Sequence, residues 1–403
     1  MIKVGVIFGG ESVEHEVAII TAVQAMSFID TNKYEVVPIY IGKDRNWYTG
    51  ECLKKMESYK DLNEIPYIAK EITLTLKDGE FVLQKKRGIF KGIVNTIDVA
   101  FPIVHGKGVE DGSLSGYLET IGIPYVGPSM LGASVGQDKV VQKQILQASN
   151  VPVVDYVWFY DHEYLNNEGK IIKEVKNLKF PVIVKPARLG SSVGITVAHD
   201  EEELKESIEE AIKYDEKIVV EAMVKNLLEV DCAVLGNSED MECSLIGEMM
   251  TDNELLTFED KYIGKGGKGG KKGAKNIGPK TGGVINTGGF KIPAEIDPEI
   301  EEQIYDYSKQ AFRALNLSGV TRFDFLVDKK AKKAYVNEPN TIPGCLAFFF
   351  FTPKGKKYSM LLDELIKQTI KDYKNSLKKV TSFESNVLST YDGSKGAKGK
   401  LQP

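Results

Sequence analysis

Apolar residues in the first third of the chain form short runs that alternate with stretches of helical spacing. The apolar runs cover residues 3–8, 34–41 and 97–104, and the helical spacing covers residues from about 14 to 28 and 116–121. The first run ends at Gly9-Gly10, which indicates a tight turn between a strand and a helix. This alternation predicts a mostly parallel, Rossmann-like sheet. We therefore expect a first domain over residues 1–126.

The middle of the chain has the pattern of a small α+β domain over residues 127–216. Asp138 is a capping residue for a helix that we expect to end near residue 148. The apolar run 181–186 predicts a strand, and a turn rich in glycine and serine follows it. An acid-rich helix is predicted over residues 200–214.

Strand patterns dominate a third domain, which we expect over residues 217–381. Apolar runs lie at residues 217–224, 230–235, 244–250, 322–327 and 333–337. One helix is predicted to begin at Asp297-Pro298 and another to cover about residues 359–373. Strands grouped in this way predict a mixed sheet rather than a second doubly wound layer. Residues 382–403 form a polar tail to which we assign no function.

Composition narrows the class of protein. The 403 residues are 42% hydrophobic and 27% charged, as in ordinary globular proteins. The longest apolar run, from Cys345 to Phe351, is far shorter than the ~18 residues that span a bilayer, so we expect no membrane partner. Four cysteines without a CxxC pair and four scattered histidines indicate a reduced, cytoplasmic protein without structural zinc. The net charge of −5 argues against nucleic acid as the main partner.

One segment departs from this average. Residues 264–290 contain 11 glycines and 6 lysines and no acidic residue. Such a flexible, basic segment is either a solvated insertion or a mobile lid that meets an anion.

The glycine- and serine-rich turn is the first candidate for chemistry. Lys185 ends an apolar run, and Gly190, Ser191, Ser192 and Gly194 follow it. Small residues let backbone N–H groups approach a polyphosphate, and a lysine supplies positive charge. The turn lacks the pattern of a Walker A loop, so an ordinary hairpin connection is the alternative.

A group of oxygen-bearing side chains is the second candidate. Asp324 lies on one strand pattern, and Glu338 and Asn340 lie on the next. If the two strands pair as a hairpin, these side chains meet on one face, with Arg322 beside them. Hard oxygen ligands suit Mg²⁺, and a guanidinium can stabilise an oxyanion. A solvated polar sheet face is the alternative.

Two further stretches lie where α/β proteins place ligand contacts. Glu14 to Glu16 open the first helix, where acids also complement the helix dipole. The loop 105–112, which begins at His105, directly follows a strand.

Seven motifs in order over about residues 1–370 resemble the D-alanine:D-alanine ligases of the ATP-grasp superfamily. The matching stretches are GGESVEHEV, HGKGVEDGSLSGYLETIGIPYVG, QDKVVQK, VKPARLGSSVGI, EDKY, RFDF and NEPNTIPG. The resemblance implies a Rossmann-like N-terminal domain followed by a two-domain ATP-grasp fold, α/β and α+β in class. It also implies that two D-alanines are joined at the expense of ATP, through an acyl phosphate, into the dipeptide of peptidoglycan precursors.

The same resemblance implies roles for particular residues. Lys139, Lys185 and Lys261 would contact the phosphates, Glu229 the ribose, and Glu221, Ala222 and Val224 the adenine pocket. Two Mg²⁺ or Mn²⁺ ions would be bound by Asp324, Glu338 and Asn340. The first D-alanine would be held by Glu14 and His105, the lid (about residues 261–290) would be locked by Ser191 and Tyr262, and the oxyanion hole would consist of Arg322 and the N–H of Gly344. Relatives are commonly homodimers.

The chain departs from the family pattern at three places. Phe349 stands where the family has a hydroxyl residue that binds the carboxylate of the second substrate, and Ala222 stands where a lysine commonly contacts adenine. The lid is also longer and richer in glycine and lysine. Three alternatives therefore stay open: the same chemistry with another acceptor such as D-lactate or D-serine, a non-catalytic ATP-binding module, and nucleic-acid binding through the lysine-rich segment.

Overall fold

The computed structural model describes residues 1–88, 91–250 and 289–383, together with residues 385 and 389. Lys261, Tyr262 and the expected lid up to residue 288 lie outside the described residues, as does most of the expected tail. Within these ranges, no helix combines the length and the apolar character needed to cross a membrane.

The described strands are β1 (Ile2–Gly9), β2 (Tyr34–Ile41), β3 (Trp47–Thr49), β4 (Lys70–Lys77), β5 (Glu80–Lys85), β6 (Ile93–Ile97), β7 (Val99–Val104), β8 (Tyr156–Tyr160), β9 (Val182–Pro186), β10 (Thr196–Ala198), β11 (Lys217–Ala222), β12 (Leu227–Gly236), β13 (Met241–Met249), β14 (Phe290–Lys291), β15 (Gly319–Asp328) and β16 (Lys333–Asn340). The described α-helices are α1 (His15–Phe28), α2 (Ile65–Ile68), α3 (Ser113–Ile121), α4 (Met130–Gln137), α5 (Lys139–Ala148), α6 (Asp161–Asn166), α7 (Glu168–Val175), α8 (Glu201–Ile212), α9 (Pro298–Ala314), α10 (Phe348–Phe351) and α11 (Tyr358–Ser376).

The N-terminal sheet has the strand order β6-β5-β4-β3-β2-β1-β7. Strand β1 is parallel to β2 and β7, as a Rossmann-like unit requires, but the other four pairings are antiparallel. The expectation of a mostly parallel sheet is therefore wrong. Strands β4 and β5 are joined by Asp78-Gly79, and both residues have positive φ (52° and 84°). An Asp-Gly pair of this kind favours a tight hairpin turn and hence antiparallel pairing.

The central sheet is antiparallel and has the order β10-β9-β11-β8. Strand β11 was expected to open the third domain, but it pairs with β9 and β8. The boundary expected at 216/217 therefore divides this sheet. Helix α8 covers one face, and its N-terminus is capped by Asp200, which accepts hydrogen bonds from the N–H groups of Glu202 and Glu203.

The C-terminal sheet has the order β14-β13-β12-β15-β16, and every pairing is antiparallel. The expected mixed sheet is thus also wrong. Strand β15 follows α9 in the chain, yet it pairs antiparallel with β12.

Strand alternation gives the C-terminal sheet two different faces. On β12, Val230, Cys232 and Val234 pack in one cluster with residues of α9. Ala233 and Leu235 pack on the other side, in a cluster shared with α11 and the N-terminal sheet. The N-terminal core and one face of the C-terminal sheet are therefore continuous, and this packing leaves a cleft where the three sheets meet.

Candidate functional site

A cleft of about 530 Å³ is lined by residues of the central and C-terminal sheets and, on the side of the N-terminal sheet, by residues at α1 and in the loop after β7. The predicted site residues that line it are Glu14, His105, Lys139, Lys185, Ser191, Val224, Glu229, Arg322, Asp324, Glu338, Asn340 and Gly344. Two predicted adenine-pocket residues, Glu221 and Ala222, are not among the lining residues; Met223 and Val224 line that part instead. The structure thus brings the candidate lysines, the carboxylates and the first-helix acid to one place.

Lys139 lies in the first turn of α5, at the edge of the cleft. The N-cap residue Asp138 accepts hydrogen bonds from two N–H groups of this helix and also contacts the ammonium of Lys217 at 2.9 Å. The Nζ of Lys139 donates to the carbonyl oxygen of Leu189 at 2.6 Å and lies 3.0 Å from Glu338 Oε2. A capped helix start therefore holds a buried ammonium directly against one of the candidate metal ligands.

Lys185 is the last residue but one of β9 and contacts a buried carboxylate below the cleft. Its Nζ donates to Glu221 Oε2 at 2.7 Å and to Asn337 Oδ1 at 3.2 Å. The other oxygen of Glu221, Oε1, lies 3.0 Å from Nζ of Lys143. The side chains of Lys143 and Glu221 are 0% and 1% exposed, so this ion pair is shielded from solvent.

The buried carboxylate therefore supports the lysine of the cleft instead of facing the ligand. Although burial by itself raises the pKa of Glu221, the two lysines outweigh it and hold the pKa at about 2. Burial lowers the pKa of Lys143, whereas the nearby carboxylates keep that of Lys185 raised. Sequence reasoning missed Lys143, although it is four residues after Lys139 and so lies on the same helix face.

The candidate metal ligands meet because of an irregularity in the β15–β16 pairing. Phe325 pairs with Val336, but the next pair is Asp324 with Glu338, so Asn337 is an extra residue. This β-bulge brings Glu338 opposite Asp324 and, two positions on, Asn340 opposite Arg322. Without it, regular alternation would pair Glu338 with the core residue Phe323.

Arg322 lies between two carboxylates on this face. It donates to Asp324 through Nε and Nη2, at 2.8 and 2.9 Å, and its Nε lies 2.9 Å from Asp231 Oδ2. Asn340 donates to Asp324 Oδ1 at 3.0 Å. Asp231 was not predicted. It is a charged residue within an apolar strand pattern, which was the available signal.

The glycine- and serine-rich turn connects the antiparallel strands β9 and β10, and it also lines the cleft. A hairpin connection and a contact with a ligand are therefore compatible roles for this turn. Ser191 and Ser192 adopt positive φ values of 54° and 60°. Arg188 anchors the start of the turn, since its N–H donates to Asp215 Oδ2 at 2.8 Å and its guanidinium contacts the same carboxylate. The hydroxyl of Ser191 donates a hydrogen bond to Glu14 Oε1.

A second group of titratable residues occupies the Glu14 side of the cleft. Burial lowers the pKa of His105 to about 4, and its Nε2 has no hydrogen-bond partner among the described residues. Burial and the nearby Glu14 raise the pKa of Glu110 to about 7. Sequence reasoning missed Glu110, although it lies in the quoted loop. His15, in contrast, contacts Gly10 O at 2.6 Å and the hydroxyl of Tyr40 at 3.0 Å inside the core.

Gly344 precedes an unusual backbone segment. Cys345, Leu346 and Ala347 all have φ near +50°. A left-handed conformation costs roughly 1–2 kcal/mol per non-glycine residue, so packing must hold it in place. Leu346 and Ala347 are buried in the shared core, and the N–H of Cys345 donates to Thr21 Oγ1 of α1 at 3.4 Å.

Phe349 lines the cleft and belongs to the shared core. Its ring centroid lies 5.9 Å from that of Phe290 and 4.7 Å from that of Phe350. Phe350 and Phe351 are fully buried. One ring of this run therefore faces the cleft while others pack the core.

The donor set fits a divalent cation that is also bound by a ligand. Within the described ranges, no three His, Cys, Asp or Glu side chains form a group that could hold a metal ion alone. The expected set contains two carboxylates and one amide, all at the cleft. Mg²⁺ commonly takes one or two carboxylates and completes its shell with water and phosphate oxygens.

Comparison with known proteins identifies the family. The family models described as "D-ala D-ala ligase N-terminus" and "D-ala D-ala ligase C-terminus" match residues 3–128 and residues 145–273 and 280–371. A D-alanine–D-alanine ligase of Thermosipho melanesiensis is 37% identical over 391 residues, which are 96% of this chain and 98% of that protein.

Solved structures are similar as well. The D-alanine-D-alanine ligase of Coxiella burnetii matches with a TM-score of 0.76 and 27% identity, over 94% of this chain and 96% of that one. The Bacillus anthracis ligase complexed with ATP matches with a TM-score of 0.64 and 26% identity, over 93% of this chain and all of that one.

Three sheets around a cleft of lysines and carboxylates define an ATP-grasp type of ligase fold. The chain belongs to the D-alanine–D-alanine ligase family.

Proposed function

We propose that this protein joins two D-alanine molecules into D-alanyl-D-alanine and converts ATP to ADP and phosphate. The observation that carries this proposal is the convergence of Lys139 and Lys185 with Asp324, Glu338 and Asn340 on one cleft. Ammonium groups neutralise phosphate charge, and carboxylates hold the cations that accompany a nucleotide triphosphate. The membership of the chain in this family supports the choice of substrates.

The nucleotide would occupy the side of the cleft between the central and C-terminal sheets. Lys139 and Lys185 would contact the phosphates, Glu229 the ribose, and Val224 the adenine. Glu221 would act indirectly, because its carboxylate holds Lys185 in place at 2.7 Å. The assigned roles of Lys261 and Tyr262 are part of the proposal and lie outside the described residues.

Asp324, Glu338 and Asn340 would hold two Mg²⁺ or Mn²⁺ ions. When bound, such ions neutralise charge on the phosphate oxygens. Lys139 and Glu338 now contact each other at 3.0 Å. A phosphate and a cation between them would give each side chain a new partner of opposite charge. Ligand binding would therefore leave neither charge without a partner.

The first D-alanine would bind with its ammonium at Glu14. The pKa of Glu110 is raised in part by the charge of Glu14, so the two carboxyl groups repel each other. A cation at this position relieves that repulsion, as a substrate ammonium would. His105 lines the same part of the cleft.

The chemistry proceeds in two transfers. A carboxylate oxygen of the first D-alanine attacks the γ-phosphorus of ATP, and the bond to ADP breaks. The amine of the second D-alanine then attacks the acyl carbon, and inorganic phosphate leaves with the carboxylate oxygen. Arg322 and the N–H of Gly344 would stabilise the oxyanion that forms in the second step, and loss of such a donor typically costs ~10²–10³ in rate.

The proposal is tested by phosphate release with ATP and Mg²⁺ in the presence of D-alanine, L-alanine or D-lactate, followed by mass analysis of the products. We expect phosphate and D-alanyl-D-alanine with D-alanine alone. Phosphate release without any condensed product would contradict the proposal. So would a preference for D-alanyl-D-lactate when D-alanine and D-lactate are supplied together.

A further inference from the structure

Glu110 connects two segments that are far apart in sequence. Its Oε2 accepts a hydrogen bond from the N–H of Gly106 at 2.9 Å. Its Oε1 accepts from the hydroxyl of Thr341 at 3.0 Å and from the N–H of Ile342 at 3.1 Å. A single carboxylate therefore joins the loop after β7 to the segment after β16, and it lines the cleft between them.

The two segments that meet at Glu110 lead to different parts of the proposed reaction. The loop contains His105, directly before Gly106, on the side where the first substrate would bind. The other segment continues through Pro343 to Gly344, whose N–H is the proposed oxyanion donor. The distance between the substrate carboxyl group and that donor therefore depends on how the two segments are held together.

A neighbouring acid shows what a purely local role looks like. Asp111 accepts hydrogen bonds through its side chain from the N–H groups of Gly108 and Ser113, at 2.7 and 3.1 Å. Gly108 lies in the same loop, and Ser113 begins α3 directly after it. Asp111 thus shapes the loop, whereas Glu110 also binds the segment beyond β16.

We propose that Glu110 is a positioning residue that fixes the Thr341–Gly344 segment against the His105 loop, and so aligns the oxyanion donor with the bound first substrate. The inference rests on the proposed function. Three hydrogen bonds from neutral donors require an acceptor with two oxygens, and a carboxylate supplies them. A glutamine at this position would have only one acceptor oxygen. Its NH₂ group would face either the N–H of Gly106 or the donors of Thr341 and Ile342.

The experiment compares Glu110→Gln with Asp111→Asn as the matched control in the same loop. For Glu110→Gln we expect kcat to fall roughly 10- to 100-fold, because a displacement of about 1 Å has effects of this size. The KM for ATP should change less than about two-fold, and the ADP formed per dipeptide should rise as misaligned acyl phosphate is lost to water. Asp111→Asn should retain wild-type coupling of ADP to dipeptide.

Thr341→Val provides a second, milder variant, because it removes one of the three donors and keeps the shape of the side chain. Its loss in kcat should be smaller than that of Glu110→Gln, and the double variant should be less impaired than the product of the two single effects. If Glu110→Gln does not fold, Thr341→Val still tests the inference through its ADP to dipeptide ratio.

Three outcomes would overturn the inference: equal coupling defects in the Glu110 and Asp111 variants, a defect confined to the melting temperature, or a defect confined to the KM for ATP. If the wild type is active and the Glu110→Gln variant is unaltered, the role of Glu110 is rejected and the proposed function stands. A wild type that makes no dipeptide rejects the proposed function, and the inference with it.

Discussion

The two sides of the cleft hold their charged groups in opposite ways. On the side between the central and C-terminal sheets, opposite charges contact each other, as in the pairs Lys139–Glu338 and Arg322–Asp231. On the Glu14 side, Glu110 is held by neutral donors, and the charge of the neighbouring Glu14 disfavours its ionised form. The first arrangement can exchange internal partners for phosphate and cations. The second favours the arrival of one positive charge, which is what an amino acid supplies.

The strongest test of the charge-paired side is removal of the guanidinium. For Arg322→Gln we expect a loss of ~10²–10³ in kcat, because the oxyanion loses a positioned, charged donor. Steady-state dipeptide formation measures it. Arg313→Gln is the control, since Arg313 is an exposed residue of α9 that donates to Ser238 O at 3.2 Å. An Arg322 variant with more than half of the wild-type kcat would refute this role.

The buried ion pairs below the cleft predict an effect on stability. Glu221→Gln leaves the ammonium groups of Lys143 and Lys185 without their shared carboxylate, and breaking a buried pair in this way costs on the order of 3–5 kcal/mol. Glu216→Gln, on the exposed side chain that contacts Arg188, should cost less than about 1 kcal/mol. Thermal and denaturant unfolding compare the two. Equal losses would show that Glu221 does not compensate the lysines.

The Glu14 side predicts a pH effect on stability through His105. The pKa of this imidazole is about 4 in the folded protein, against 6.5 for the ordinary group. Its contribution is therefore present above pH 6.5 and is lost as the pH falls towards 4, since only the unfolded chain takes up the proton. Between pH 7 and 5 the loss should be on the order of 2 kcal/mol.

Unfolding of wild type and His105→Gln across this pH range isolates that contribution. The variant should lose less stability than wild type on acidification. Parallel curves for wild type and His105→Gln would mean that the buried imidazole is not the source.

The smallest expected effect concerns Phe349, whose ring lines the cleft. Phe349→Ala should enlarge the cleft near the second amino acid and shift the ratio of kcat/KM between D-alanine and a bulkier D-amino acid by roughly ten-fold, as expected for a pocket that changes by a few methylene groups. Phe350→Ala is the control, because Phe350 packs in the core and does not line the cleft. An unchanged ratio for Phe349→Ala would exclude this ring as a determinant of acceptor size.

Several helix starts followed from local signals in the sequence, whereas elements such as β3 to β5, α6 and α7 were not predicted. The capping residues Asp138, Asp200 and Asp297 each precede an observed helix and accept N–H groups of its first turn. Sheet topology was harder, because apolar runs indicate a strand but not its partner. The Asp78-Gly79 turn was the signal for the antiparallel part of the first sheet.

The candidate site was predictable where a motif carries it and not where tertiary pairing creates it. Asp324, Glu338 and Asn340 were expected on one face, yet the bulge at Asn337 that places them there is a property of two paired strands. Lys143, Asp231 and Glu110 act through contacts with residues distant in sequence, so the local signals that single them out do not by themselves show what they bind. For Phe349, the departure from the family pattern was visible in the sequence, whereas its packing against Phe290 and Phe350 was not.

The acyl phosphate is tested most directly by the fate of a carboxylate oxygen. Wild-type protein is incubated with ATP, Mg²⁺ and D-alanine labelled with ¹⁸O in its carboxyl group, and the inorganic phosphate is analysed by mass spectrometry. Attack of the carboxylate on the γ-phosphorus predicts one ¹⁸O atom in the phosphate for each dipeptide formed. Dipeptide formation with unlabelled phosphate, or with the label in a nucleotide, would contradict the proposed acyl phosphate and the placement of both substrates in this cleft.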